Sequence, residues 1–236
     1  MNLSLEQRII QRLLFRSSQE KDVGLYHGKM GLIIFFAQYF KQTGLPVYDD
    51  TVDELMDELV NEIHKEFPVG FASGLSGIGW GIEYLIQNGF MEGDSLEVCK
   101  EIDRKIMERD IRRITDYSVE TGLEGILHYV LLHIKGVIAQ HSEMPFDEVY
   151  LFDLYRAVST IPENVQPSNN FKLLSGTYAT CYENRTAPDY VPQLSFITEI
   201  WETEGMEEMV KSRLKKFPLG LRNGLSGFLL QKTITG

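Results

Sequence analysis

Two kinds of apolar segment alternate along this chain. In residues 51–66, Val52, Leu55, Met56, Leu59, Val60 and Ile63 fall on one stripe of a helical wheel, while Asp53, Glu54, Asp57, Glu58, Glu62 and Lys65 take the other face. That 3.6-residue period predicts a surface helix with one core face. Residues 5–15, 95–114, 146–158 and 206–214 repeat the type. The second kind (32–40, 78–86, 126–134 and 228–230) carries few polar residues. It predicts helices buried nearly all round. The order is outer helix, glycine-rich turn, inner helix, and then again. Residues 162–170 read as a loop, and 190–201 fits a short helix or an extended segment equally well.

The turns are copies of one another. Residues 67–77 (FPVGFASGLSG) and 217–227 (FPLGLRNGLSG) agree at seven of eleven positions, 150 residues apart. That offset implies intermediate copies at a period near 50. They occur as Gly28-Lys-Met-Gly31, Gly122-Leu-Glu-Gly125 and a degenerate Gly176-Thr-Tyr-Ala179, beside Gly74/Gly77 and Gly224/Gly227. All nine of these glycines are expected to be structural residues of the repeat turns. The residue before each first glycine is His27, Ser73, Thr121, Ser175 or Asn223. Four of these five are favoured helix N-caps, so they are expected to cap the inner helices. Paired small residues on a first turn point to close backbone packing, which also accounts for the glycines better than phosphate binding does.

The reading is an all-α fold in one domain over residues 1–236, an α/α toroid formed as an incomplete ring of about five outer/inner hairpins. An open solenoid is the alternative, but buried inner helices favour a ring. An incomplete ring has open ends, so self-association or a partner is expected.

Composition narrows the function. The net charge of −11 argues against nucleic acid or an anionic membrane as partner. The basic run 211–216 reads as a helix C-terminus, where cations suit the dipole. Two cysteines, Cys99 and Cys181, give no disulfide framework and no paired zinc spacing. The N-terminus opens into an amphipathic pattern without the layout of a signal peptide, so a cytoplasmic location is expected.

The motifs Gly24-Leu-Tyr-His-Gly-Lys-Met-Gly and Gly70-Phe-Ala-Ser-Gly-Leu-Ser-Gly-Ile-Gly-Trp-Gly resemble the opening repeats of the lanthionine synthetase C-like (LanC-like) proteins. The resemblance implies an α/α toroid of seven hairpins that closes thioether rings in dehydrated peptides. It also implies a zinc held by a cysteine in a Trp-Cys motif and by a Cys-His pair. Here Cys181 follows Thr180, Cys99 follows Val98, and neither cysteine adjoins a histidine. The chain therefore reads as a shortened relative or a fragment, with zinc and other cofactors not expected.

Candidate chemistry is sparse. Cys181 is the one cysteine placed on an inner helix and the only candidate metal ligand, although a small buried hydrophobe explains both cysteines. His27, on a turn, is a candidate acid/base. Glu124, within the third turn, is the most interesting carboxylate, although the N-terminal dipole explains it as well. His128 and His133 are five apart and so do not share a face for a two-histidine metal site. The expected function is a peptide- or protein-binding accessory factor in lanthionine-type modification. The alternatives are an enzyme (a cyclase completed by residues or a chain elsewhere, or a hydrolase using Glu124, Glu83 or Glu183) and a plain interaction scaffold.

Overall fold

The computed structural model describes residues 3–63, 67–141, 143–162, 165–198 and 205–235. Among these lie ten α-helices and no strand. The outer series is α1 (Leu5–Arg16), α3 (Pro46–Glu62), α5 (Ser95–Met107), α7 (Glu148–Ser159) and α9 (Met206–Arg213). The inner series is α2 (Lys29–Thr43), α4 (Leu75–Gln87), α6 (Leu123–His141), α8 (Asn169–Asn184) and α10 (Leu225–Thr235). Residues 111–113 form a separate 3₁₀ turn beyond α5, and 194–196 form another. The end of the segment 190–201 lies outside the described residues.

The two series differ as the pattern predicts. In α4 every residue from Leu75 to Leu85 is buried, and in α2 the run Lys29–Ala37 is buried. In α3 burial falls on Tyr48, Thr51, Leu55 and Leu59. Val60, assigned by its period to the core stripe, is exposed instead.

The capping expectation is corrected. Gly28 and Gly74 are themselves the N-caps of α2 and α4, and no side chain caps either helix. The free N–H groups are met by backbone carbonyls seven residues upstream: Lys29 to Asp22 (2.8 Å), Leu75 to Pro68 (2.8 Å), Leu123 to Asp116 (2.9 Å) and Leu225 to Pro218 (2.9 Å). Each turn curls back over the helix it starts, satisfying donors that would otherwise be orphaned. This is why the turn needs glycine. A Cβ at Gly28, Gly74 or Gly122 would lie 2.3–2.4 Å from a carbonyl oxygen of its own turn, and at Gly31, Gly125 or Gly227 1.8–2.3 Å. Three of the outer helices are capped by side chains instead, from Ser4, Asp94 and Asp147.

The place of the second glycine in each pair is corrected with it. Gly31, Gly77, Gly125 and Gly227 are not residues of the turns but stand in the first turns of α2, α4, α6 and α10. In the second repeat the Leu75 and Ser76 amides are already bonded to the Pro68 and Val69 carbonyls, so α4 is under way before Gly77 is reached. Gly77 is buried there between Ser76 and Ile78, themselves buried.

The fourth turn is also corrected. Gly176 lies inside α8, with open space where a Cβ would stand. Ser168, not Ser175, caps α8, accepting from the Phe171 amide at 2.8 Å. Polar residues Asn169 and Asn170 follow that cap directly, so the helix starts seven residues before the glycine.

The chain divides into two compact units, Met1–Glu66 with Gln193–Gly236, and Phe67–Pro192. In the first, α2 packs on α3 and on α10, and α1 packs on α10. The flank of α2 on that side is therefore covered by the C-terminal helix. Lys29, buried at the start of α2, reaches Glu58 at 3.0 Å and Glu62, tying α3 to the turn. In the second unit α6 packs against α4, α5 and α8, and α7 packs on α8.

Neighbouring turns dock through one backbone register. Phe71 and Ala72 both donate to the Glu120 carbonyl, and Arg222 donates to that of Tyr26. A Cβ at Gly220 would collide with Tyr26 and His27, and one at Gly70 would press on the Glu120 carbonyl oxygen at 3.0 Å. The fifth turn thus sits on the first as the second sits on the third.

Candidate functional site

Helix α6 buries Glu124, His128, Tyr129 and His133 along its length. Residues four apart share a helical face. Glu124 and His128 therefore look one way, Tyr129 and His133 another, and two separate networks result.

The first network is at the turn end. Glu124 accepts from Ser168 Oγ and Asn170 Nδ2, both at 2.7 Å. The Asn170 amide lies 3.2 Å from His128 Nε2, and His128 Nδ1 lies 2.7 Å from the Tyr190 hydroxyl. An amide N–H facing Nε2 makes that nitrogen the acceptor, so Nδ1 carries the proton and donates to Tyr190. Trp80 Nε1 also donates to that hydroxyl, at 3.0 Å. Burial holds the His128 imidazole down at about 4, so it is neutral at pH 7.

The second network is wholly internal and joins three helices. His133 of α6 sits between two carboxylates, with Nδ1 2.7 Å from Glu83 Oε1 of α4 and Nε2 2.8 Å from Asp103 Oδ2 of α5. Burial alone would push this imidazole down, but the hydrogen bonds and charges of Asp103 and Glu83 outweigh it and hold it up at about 9. Glu83 also accepts from Gln87 at 2.7 Å and Ser95 at 3.1 Å, and the Cys99 thiol approaches it at 3.9 Å. Asp103 accepts from the Tyr129 hydroxyl at 2.6 Å, and the Tyr129 ring stacks on His133.

Two glycines make room for this network. A Cβ at Gly136 would fall 2.4 Å from Glu83 Oε2, and one at Gly79 2.4 Å from the Tyr129 ring. Glu83, Cys99 and His133 form the group of three potential metal-ligand side chains among the described residues, with donor atoms all within 4.8 Å of one another.

Of the residues singled out from the sequence, Glu124 is built into the turn-end network, while His27 is exposed on its turn. Cys181 is buried on α8 outside the ligand group, its thiol pushed up to about 11 by burial. Glu183 accepts from the Tyr155 hydroxyl and, among the described residues, shares no hydrogen-bond partner with Glu83 or Glu124. Sequence reasoning missed Asp103 and Tyr190 altogether, and it read Cys99 as a plain hydrophobe.

A family model described as lanthionine synthetase C-like protein matches residues 19–173, about two thirds of the chain. The chain belongs to this family. A comparison with curated proteins gives no match. The alternation of buried and amphipathic helices in this LanC-like protein agrees with the α/α toroid expected of the family. No helix among the described residues is long and apolar enough to cross a membrane. The two-cysteine, one-histidine zinc set implied by the resemblance is not assembled among the described residues, because Cys99 lies on outer helix α5 and Cys181 lies on α8 apart from the ligand group.

Proposed function

We propose that this LanC-like protein holds a peptide substrate for a modifying partner and does not itself close thioether rings. The observation that carries this reading is the separation of its two thiols. Thioether formation needs a thiolate, and a zinc site generates one with soft ligands gathered around an open position. Here Cys181 stands outside the ligand group and Cys99 lies sealed between α4, α5 and α6. The turn-end network supplies recognition in place of proton transfer: His128 is neutral with both nitrogens engaged, and the exposed Ser168 and Asn170 bracket Glu124.

A second surface suits a peptide by charge. In the first unit a cleft of about 810 Å³ is lined by Arg8, Lys211, Arg213, Lys215, Lys216 and Phe217. On a chain of net charge −11 this concentration of cations would attract an acidic stretch of peptide.

The test mixes the protein with a fluorescent peptide carrying an acidic segment, dehydrated serines and a free cysteine. Anisotropy reads binding, and alkylation followed by mass spectrometry counts thiols. Binding that weakens about tenfold in Lys215→Glu/Lys216→Glu, with every thiol retained, is expected. Protein-dependent loss of thiols would overturn the accessory reading, and absence of binding would overturn peptide holding.

A further inference from the structure

We infer that the buried cluster of Glu83, Cys99, His133 and Asp103 is a closed site for a zinc-like divalent cation that pins α4, α5 and α6 together. The donor set is that of a borderline metal: one thiol, one imidazole and carboxylate oxygens. One donor atom from each of Glu83, Cys99 and His133 lies within 4.8 Å of the other two. Zinc-to-ligand bonds of about 2.0–2.3 Å place tetrahedral donors roughly 3.3–3.7 Å apart. The 3.9 Å between Cys99 Sγ and Glu83 Oε1 already approaches that spacing. The 2.7 Å between His133 Nδ1 and Glu83 Oε1 would open by roughly half an ångström.

The surroundings have the form of an outer shell. Asp103 holds the second ring nitrogen of His133 at 2.8 Å, the carboxylate–histidine arrangement that fixes the tautomer of a ligating imidazole. Asp103 is itself held by Tyr129, and Glu83 by Gln87 and Ser95. Glycine at 136 leaves the space that the Glu83 carboxylate occupies.

A divalent cation bound to Glu83, His133 and Cys99 takes the thiol as thiolate, its proton released to solvent. The cluster is fully enclosed, and His133, Glu83 and Cys99 are each at 0% exposure. Burial closes the site to substrate, and it is independent of how the turn-end network is used.

The test has two arms on the full chain. Protein purified without chelator is analysed for metals by mass spectrometry, beside Cys99→Ser and Cys181→Ala. Wild-type protein is also unfolded, stripped with chelator, and refolded with Co²⁺ or with Zn²⁺, because a sealed site fills during folding. The expected result is about one equivalent of metal per chain, kept in Cys181→Ala and reduced at least tenfold in Cys99→Ser. The cobalt form should show a thiolate-to-cobalt charge-transfer band, and the zinc form a raised melting temperature. Wild-type protein that refolds fully with neither the band nor a melting shift would overturn the site, whatever the variants do. The cluster would then be a permanent imidazolium–dicarboxylate.

Discussion

The Arg222 amide donates to the Tyr26 carbonyl at 2.9 Å, repeating between the fifth and first turns the bond that Ala72 makes to Glu120 at 3.0 Å between the second and third. Gly220 stands at this junction, where a Cβ would lie 2.5 Å from the Tyr26 oxygen and the His27 Cα. Both obstacles are backbone and cannot rotate away. Gly220→Ala should therefore destabilise the protein by about 2–3 kcal/mol. Gly176→Ala, inside a helix with open space around it, should instead stabilise by roughly 0.5–1 kcal/mol. Urea unfolding of the two variants checks this pair, and equal midpoints would contradict the junction's close contact.

In the metal-free protein His133 is the cation between two buried carboxylates, so its removal should be costly. His133→Ala leaves Glu83 and Asp103 facing one another without it, and a loss of about 3–5 kcal/mol is expected. Neutralising one carboxylate removes part of that repulsion. The double variant Glu83→Gln/His133→Ala should therefore be more stable than His133→Ala alone. A double-variant cycle by chemical denaturation measures the coupling, and additive losses would contradict it.

The outer and inner helices were legible because burial imposes period and composition directly. The recurrence of Gly28, Gly74, Gly122 and Gly224 was legible because the turn's own carbonyls exclude any larger residue. What misled was identity without context. Ser73 and Thr121 look like caps, yet a carbonyl seven residues upstream does that work, and no side-chain preference records a backbone bond. For the same reason Gly77 looks like a turn residue, although the helix has already begun two residues before it. Gly176 matched the turn pattern by type, while the true start of α8 was marked by Ser168. The internal cluster was invisible for a different reason. Glu83, Cys99, Asp103 and His133 are spread over fifty residues on three helices, and only packing brings them together. The small signals available were Gly79 and Gly136, glycines that weaken a helix unless something large needs their space.

His128 links stability to pH with a definite sign. Its imidazole is held down at about 4 in the folded chain, against 6.5 ordinarily. The unfolded chain therefore binds a proton first as pH falls. The stabilisation is full above about pH 6.5 and is lost progressively down to about pH 4, a change on the order of 3 kcal/mol. Urea midpoints measured at several pH values should decline across that window. The decline should be shallower in His128→Gln, which cannot take up the proton. Identical slopes would place the acid sensitivity elsewhere.

Cys181 gives the sharpest check on the accessory reading. Its thiol is pushed up to about 11, chiefly by burial, with Arg185 opposing weakly. At pH 8 the thiolate fraction is then on the order of a hundredfold below that of a free cysteine. The cysteine is also 1% exposed, which slows attack further. Iodoacetamide should therefore modify native Cys181 at least about a hundred times more slowly than glutathione, and unfolding should abolish the difference. Chain mass and peptide mapping over time measure the rate. A Cys181 that reacts quickly in the folded protein would mean that a cation or a metal lowers its thiol, which is the condition a cyclase needs.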